Sequence, residues 1–156
     1  MVTLVPMSAE AWDRWLVASI RGYAEEKVKV GAWTADEGQA RSEREFAELL
    51  PGGRATPGHH FRSIVDESGA AVGILWFGPS REIGRGTCFI WDFEIAPEAR
   101  GKGYGRAALE ALEPIARELG YDAIGLHVFG DNEVARNLYR SSGYVETDVQ
   151  MRKRLG

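Results

Sequence analysis

Six consecutive residues carry the clearest chemical signal in this chain: Gly101, Lys102, Gly103, Tyr104, Gly105 and Arg106, with Arg100 just before them. A strand that runs into a glycine-rich turn and then a helix makes an anion site, because the first turn of a helix presents unpaired N–H groups and a partial positive charge. Glycines at 101, 103 and 105 let backbone and phosphate approach with no Cβ between them, and Arg100, Lys102 and Arg106 add charge around the same point. The chemistry implied is a cradle for phosphate or pyrophosphate, set against the plainer reading of a tight turn. Two common fingerprints fail. The P-loop wants Ser or Thr after its lysine, and Lys102 is followed by Gly103. The dinucleotide fingerprint, started at Gly101, ends on Arg106 where Gly or Ala is needed.

The elements that would position this loop can be read on either side of it. Residues 2–5 suggest a short strand. Ser8 can cap a helix with Trp12, Trp15, Leu16 and Ile20 on one face. A second helix spans residues 34 or 36 to 50, ended by Pro51, Gly52 and Gly53, and residues 52–58 form a loop. Residues 61–65 and 71–77 read as a hairpin turned by Asp66, Glu67, Ser68 and Gly69, and residues 78–86 as another turn. Residues 87–95 are the strongest strand. Simple alternation puts Phe89, Trp91, Phe93 and Ile95 on one face and Ile90, Asp92 and Glu94 on the other. After the loop, Leu109, Leu112, Ala116 and Leu119 stripe a helix that Gly120 ends, with Pro114 expected to kink it. Residues 123–129 read as a strand, Asp131 or Asn132 caps a short helix to about Arg140, and residues 143–154 read as one or two final strands. This order describes a mixed α/β domain in which a hairpin-built sheet feeds a strand-helix-strand crossover.

Bulk properties narrow the classes. A chain of 156 residues favours one domain and is long enough to bury a core without disulfide or metal. A net charge of -4 argues against bulk binding to nucleic acid. The lone Cys88 excludes an intrachain disulfide and fits a reducing compartment. The N-terminus lacks the pattern of a signal peptide and no segment has the length of a membrane span, so the expected address is cytoplasmic.

The strand-loop-helix stretch resembles the GNAT superfamily of N-acetyltransferases. Their signature, Gln/Arg-x-x-Gly-x-Gly/Ala after a strand ending in an apolar residue and Pro, matches Ile95, Pro97, Arg100, Gly103 and Gly105. A second signature, Asn-x-x-Ala-x-x-Leu-Tyr followed by a Gly-aromatic pair, matches Asn132, Ala135, Leu138, Tyr139, Gly143 and Tyr144. The close match covers roughly residues 87–154. The resemblance implies a single GNAT-like domain over residues 1–156: a mixed, mostly antiparallel sheet flanked by helices, with splayed central strands that open a slot for the cofactor. It implies acetyl-CoA as co-substrate, no metal, and a small-molecule or peptide amine as acceptor, with no nucleic acid or membrane partner. A homodimer through the last strand or the helical front is compatible with it.

Carried onto this chain, the resemblance implies that the backbone of Phe93, Glu94 and Ile95 pairs with the pantetheine arm. Arg100, Gly101, Lys102, Gly103, Tyr104, Gly105 and Arg106 would hold the pyrophosphate. Asn132 would touch the cofactor and Tyr139 would protonate the departing thiolate. Seven residues apart, Asn132 and Tyr139 share a helix face, and Arg136, one turn from both, is placed to reach a CoA phosphate. Plainer readings are a helix cap for Asn132, packing for Tyr139 and a solvated surface position for Arg136. Asp92 or Glu94 would act as base or amine anchor, with a β-bulge able to change which of them faces the cleft. His127 on the neighbouring strand, and Tyr23, Glu25, Glu26, Trp33 and Trp76 in the front half, are candidates for the acceptor side. Cys88 reads as core rather than nucleophile, and His59 with His60 has no ligand-spaced companion. The rival readings are an acyl-CoA sensor without turnover and a different nucleotide-binding α/β protein.

Overall fold

The structure, a computed structural model, describes all 156 residues. Strand β1 (Thr3–Pro6) leads into helix α1 (Ala9–Lys29), whose first turn is capped by Ser8: its Oγ accepts from the Ala11 N–H at 3.1 Å. Helix α2 (Ala35–Leu49) starts where the Thr34 N–H donates to Glu37 Oε1 at 3.1 Å, the reciprocal arm of a capping box. The two helices lie against each other. A Cβ on Gly38 would stand 2.9 Å from Val28 Cγ2, and buried Ser42 donates to the Ile20 carbonyl at 2.7 Å.

Strands β2 (His60–Val65), β3 (Ala71–Gly78) and β4 (Thr87–Ile95) continue the sheet. The β2–β3 turn is built by Asp66, whose Oδ1 accepts from the N–H groups of Ser68 and Ala70 at 2.9 and 3.1 Å, with Gly69 at φ 85°. Helix α3 (Tyr104–Glu118) crosses back to β5 (Ala123–Leu126), and α4 (Glu133–Ser141) follows. Gly120, at φ 88°, ends α3 as its type suggests, and α3 runs through Pro114 as one helix. The sheet order is β1-β2-β3-β4-β5. All neighbours are antiparallel except β4 and β5, which are parallel as the helical crossover requires.

Two cores sit on opposite faces of this sheet. Ile64, Leu75, Phe77, Cys88 and Ile90 pack against Ala108, Leu109, Leu112 and Ala116 of α3. Met7, Trp15, Leu50, Phe61 and Trp76 form the other, under α1 and α2. No helix is long and apolar enough to cross a membrane.

Three expectations are corrected. The first concerns β4. The β3–β4 register shifts between Trp76 and Phe77, so that Trp76 pairs with Asp92 and Phe77 with Ile90, leaving Trp91 as the extra residue of a bulge. Alternation restarts there. Phe89, Trp91, Asp92 and Glu94 face α1 and α2, while Ile90, Phe93 and Ile95 face α3. Second, β5 stops at Leu126, because its parallel pairing ends with Ile90 and Leu126, immediately before the bulge bends β4 aside. His127 and Phe129 therefore lie beyond the strand. Third, residues 143–154 form no strand. Arg136 and Arg140 hold Glu146 at 2.8 and 2.6 Å, drawing the chain onto α4 rather than along the β5 edge. Alternating Val145, Val149 and Met151 stay exposed, since a strand pattern without a partner strand has no ladder to join.

Candidate active site

The site begins at the bulge. Beyond Ile90, β4 keeps β3 on one side and loses β5 on the other. The Ala96 N–H donates to the Val72 carbonyl at 2.8 Å, so strand alternation turns the N–H and C=O groups of Phe93 and Ile95 away from β3, toward the opening. The exposed edge suits an extended chain carrying amide groups, which would add to it as another strand does. The Ile95 carbonyl is already bonded by Arg100 Nε at 2.9 Å, which ties the start of the glycine loop to the end of the strand.

The loop then turns through Gly101 and Gly103, at φ 75° and 83°, and Gly103 caps α3. A Cβ at either would meet nothing within 4 Å, so backbone conformation demands these glycines. The Ala107 N–H bonds to the Gly103 carbonyl, leaving the N–H groups of Tyr104, Gly105 and Arg106 without intrahelical acceptors. These donors at a positive helix end fit a pyrophosphate. Gly105 is different. A Cβ there would stand 3.1 Å from Leu138 Cδ2, so its smallness seats α3 against α4. Tyr104 packs on the core, Lys102 is exposed, and Arg106 donates to Ser141 O and Oγ at 3.0 and 2.7 Å.

On α4, Asn132 is the cap, its Oδ1 accepting from the Ala135 N–H at 3.2 Å. Arg136 donates to Gly130 O, Glu133 and Glu146. Tyr139 is half-buried beside Tyr144, ring centroids 5.8 Å apart. Burial, and then the charge of Asp92, hold the Tyr139 phenol above its ordinary pKa.

The two strand carboxylates part company here. Asp92 is largely enclosed: burial raises its pKa, the Trp15 indole N–H at 2.9 Å from Oδ2 opposes this, and Glu94 and Glu26 push it up further. Glu94 has a side chain 61% exposed, with Oε1 3.7 Å from Arg100. Glu26, exposed on α1, is the one front-half acid whose charge reaches Asp92.

The other sequence candidates lie apart from these. Tyr23 donates to Glu45 Oε2 at 2.8 Å, and burial with that bond pushes its phenol up to about 12. Trp33 is 8% exposed, under the Arg41 guanidinium at 4.9 Å from its ring. Trp76 is 4% exposed, stacked on Phe61 and Trp91 at 5.4 and 5.2 Å, with its indole N–H donating to His59 Nδ1 at 3.1 Å. Trp33 and Trp76 are thus packed aromatics. His127 is exposed beyond β5. Cys88 is fully buried, its thiol raised by burial to about 11, which suppresses the nucleophilic thiolate. No three His, Cys, Asp or Glu side chains are grouped to hold a metal ion. Trp15 was missed. Its one sequence signal is that a buried indole N–H needs an acceptor.

The model of the GNAT acetyltransferase family matches residues 21–144. The chain belongs to that family. GNAT acetyltransferases transfer an acetyl group from acetyl-CoA to an amine. The uncharacterized N-acetyltransferase YycN of Bacillus subtilis strain 168 is 42% identical over 154 residues, 99% of each chain. The crystal structure of a YycN acetyltransferase from Bacillus subtilis matches with a TM-score of 0.85 at 41% identity, covering 99% of both chains. A mycothiol acetyltransferase of Propionibacterium freudenreichii subsp. shermanii is 41% identical over 86 residues, 54% of this chain and 28% of that one. Within this GNAT chain, the region shared with the last relative is about half its length.

Proposed function

We propose that this GNAT chain acetylates a primary amine by direct attack on acetyl-CoA within a ternary complex, with Asp92 as base and Tyr139 as acid. The observation that supports the reading is the enclosed Asp92 carboxylate on β4 just past the point where β5 ends, held by the Trp15 indole at 2.9 Å, with the half-buried Tyr139 on the helix that follows β5. Acetyl-CoA supplies a thioester carbon and a thiol leaving group. The β4 edge at Phe93 and Ile95 and the N–H groups at the start of α3 would hold its arm and pyrophosphate. Asp92, its pKa raised by burial, takes the proton that the amine must lose as the carbon–nitrogen bond forms. Tyr139, held protonated, gives its proton to the sulfur as the carbon–sulfur bond breaks, and regains one from solvent. The charges of Glu94 and Glu26 both act on Asp92, and acids gathered on the acceptor side favour a cationic amine.

Tyr139→Phe should lower kcat on the order of 10²-fold and leave CoA affinity nearly unchanged. Steady-state thiol release with a panel of amines, beside a CoA binding titration, measures both. Unchanged turnover would remove Tyr139 as the acid. CoA binding by the wild-type chain without thiol release from any amine would identify an acyl-CoA-binding module instead.

A further inference from the structure

Trp15 and Asp92 are 77 residues apart in sequence and joined by one hydrogen bond, indole Nε1–H to Oδ2 at 2.9 Å. Trp15 is 8% exposed, and its ring is enclosed by Trp12, Phe46, Phe61 and Trp76 at centroid distances of 6.4, 6.4, 5.2 and 5.3 Å. Packing on several sides leaves the indole little freedom to pivot, so the direction of its N–H is set by the core. At the other end of the bond, Asp92 sits on the bulge, where the backbone is least regular and a side chain most needs an external hold.

We propose that Trp15 is a positioning residue for acetyl transfer: its indole N–H holds one carboxylate oxygen of Asp92 so that the other is presented to the acceptor amine. The inference rests on the reading of Asp92 as base. The bond does two things at once. It fixes the rotamer of the carboxylate, and it favours the ionised form against burial and the charges of Glu94 and Glu26. Without it, Asp92 would stay protonated to higher pH and a smaller share of the enzyme would hold a working base.

Trp12 provides the control. It lies on the same helix and in the same aromatic cluster, but its indole N–H is buried without a partner. The experiment is the pH dependence of kcat and kcat/KM for Trp15→Phe, Trp12→Phe and a chain carrying 3-benzothienylalanine at position 15, which keeps the ring shape and lacks the N–H. For Trp15→Phe and the benzothienyl chain, kcat should fall on the order of 10-fold at neutral pH. The acid limb of kcat/KM should move up by about one pH unit, with rate recovered at higher pH. Trp12→Phe should leave the acid limb in place. A benzothienyl chain with an unmoved acid limb, while Asp92→Asn is inactive, would overturn the positioning role. Full turnover in Asp92→Asn would instead overturn the base assignment, and the proposal with it.

Discussion

Asp92 and Glu94 are two residues apart on one strand and on one face, yet they cannot share a role. Arg100 and solvent surround Glu94, whereas Asp92 is enclosed, with the Trp15 indole and then the Phe93 backbone N–H favouring its charged form. Enclosure has a consequence for stability. The folded pKa of Asp92 lies above its unfolded value, so the folded state favours the protonated carboxyl. Its contribution is most favourable at low pH and is lost as pH rises from the ordinary aspartate value of about 3.9 through the raised folded one. Asp92→Asn, which still offers an oxygen to Trp15, should therefore have a higher Tm than wild type at neutral pH. The gap should close below about pH 4. Thermal melts across pH would show it, and an equal or lower Tm at neutral pH would count against an enclosed, costly carboxylate. The same variant should lose turnover by at least about 10²-fold, so stability and activity would move in opposite directions.

At the scale of elements, the bulge at Trp91 and the glycines of the loop do the arranging. The bulge turns Asp92 toward α1 and bends β4 away from β5, so one irregularity both aims the carboxylate and opens the slot. The loop glycines divide by cause. Gly103 needs a positive φ, and Gly103→Ala should cost about 1–2 kcal/mol and weaken CoA binding by misaligning the first turn of α3. Gly105 needs room, and Gly105→Val should cost about 1–3 kcal/mol through Leu138. Because Leu138 precedes Tyr139 on α4, Gly105→Val should also lower kcat, whereas Gly103→Ala should act mainly on KM for acetyl-CoA. Denaturation midpoints and both kinetic constants would separate the two. The glycine pattern at 101, 103 and 105 was legible as an anion loop from spacing alone. That Gly105 serves helix packing was not, because its neighbour Leu138 is 33 residues further along the chain.

Across the whole molecule, the sheet divides two cores that report differently. All five tryptophans belong to the α1–α2 side or its turn, while the single cysteine, Cys88, is buried on the α3 side. If the two cores fold as one unit, loss of tryptophan fluorescence, loss of helical circular dichroism and gain of Cys88 reactivity should share one denaturant midpoint. Fluorescence changing first would show the helical front, with Trp15, opening separately. Much of this architecture is local. Ser8 caps α1, Gly120 ends α3 and Asp66 builds its turn through contacts within a few residues, so residue type and spacing alone determined these elements. The same holds for the helix pattern that carries Asn132 and Tyr139. What depends on pairing was left to the tertiary structure. A bulge is a mismatch between two strands, and neither strand displays it alone, so simple alternation put Asp92 opposite Trp91. Residues 145–151 alternate as a strand does, yet Glu146 is held by two arginines of α4 and the ladder is never joined. The bond from Trp15 to Asp92 closes a separation of 77 residues. Sequence determined which groups were available for chemistry, through spacing along single elements; tertiary structure decided which of them meet, because distance in space is set by packing between elements far apart in the chain.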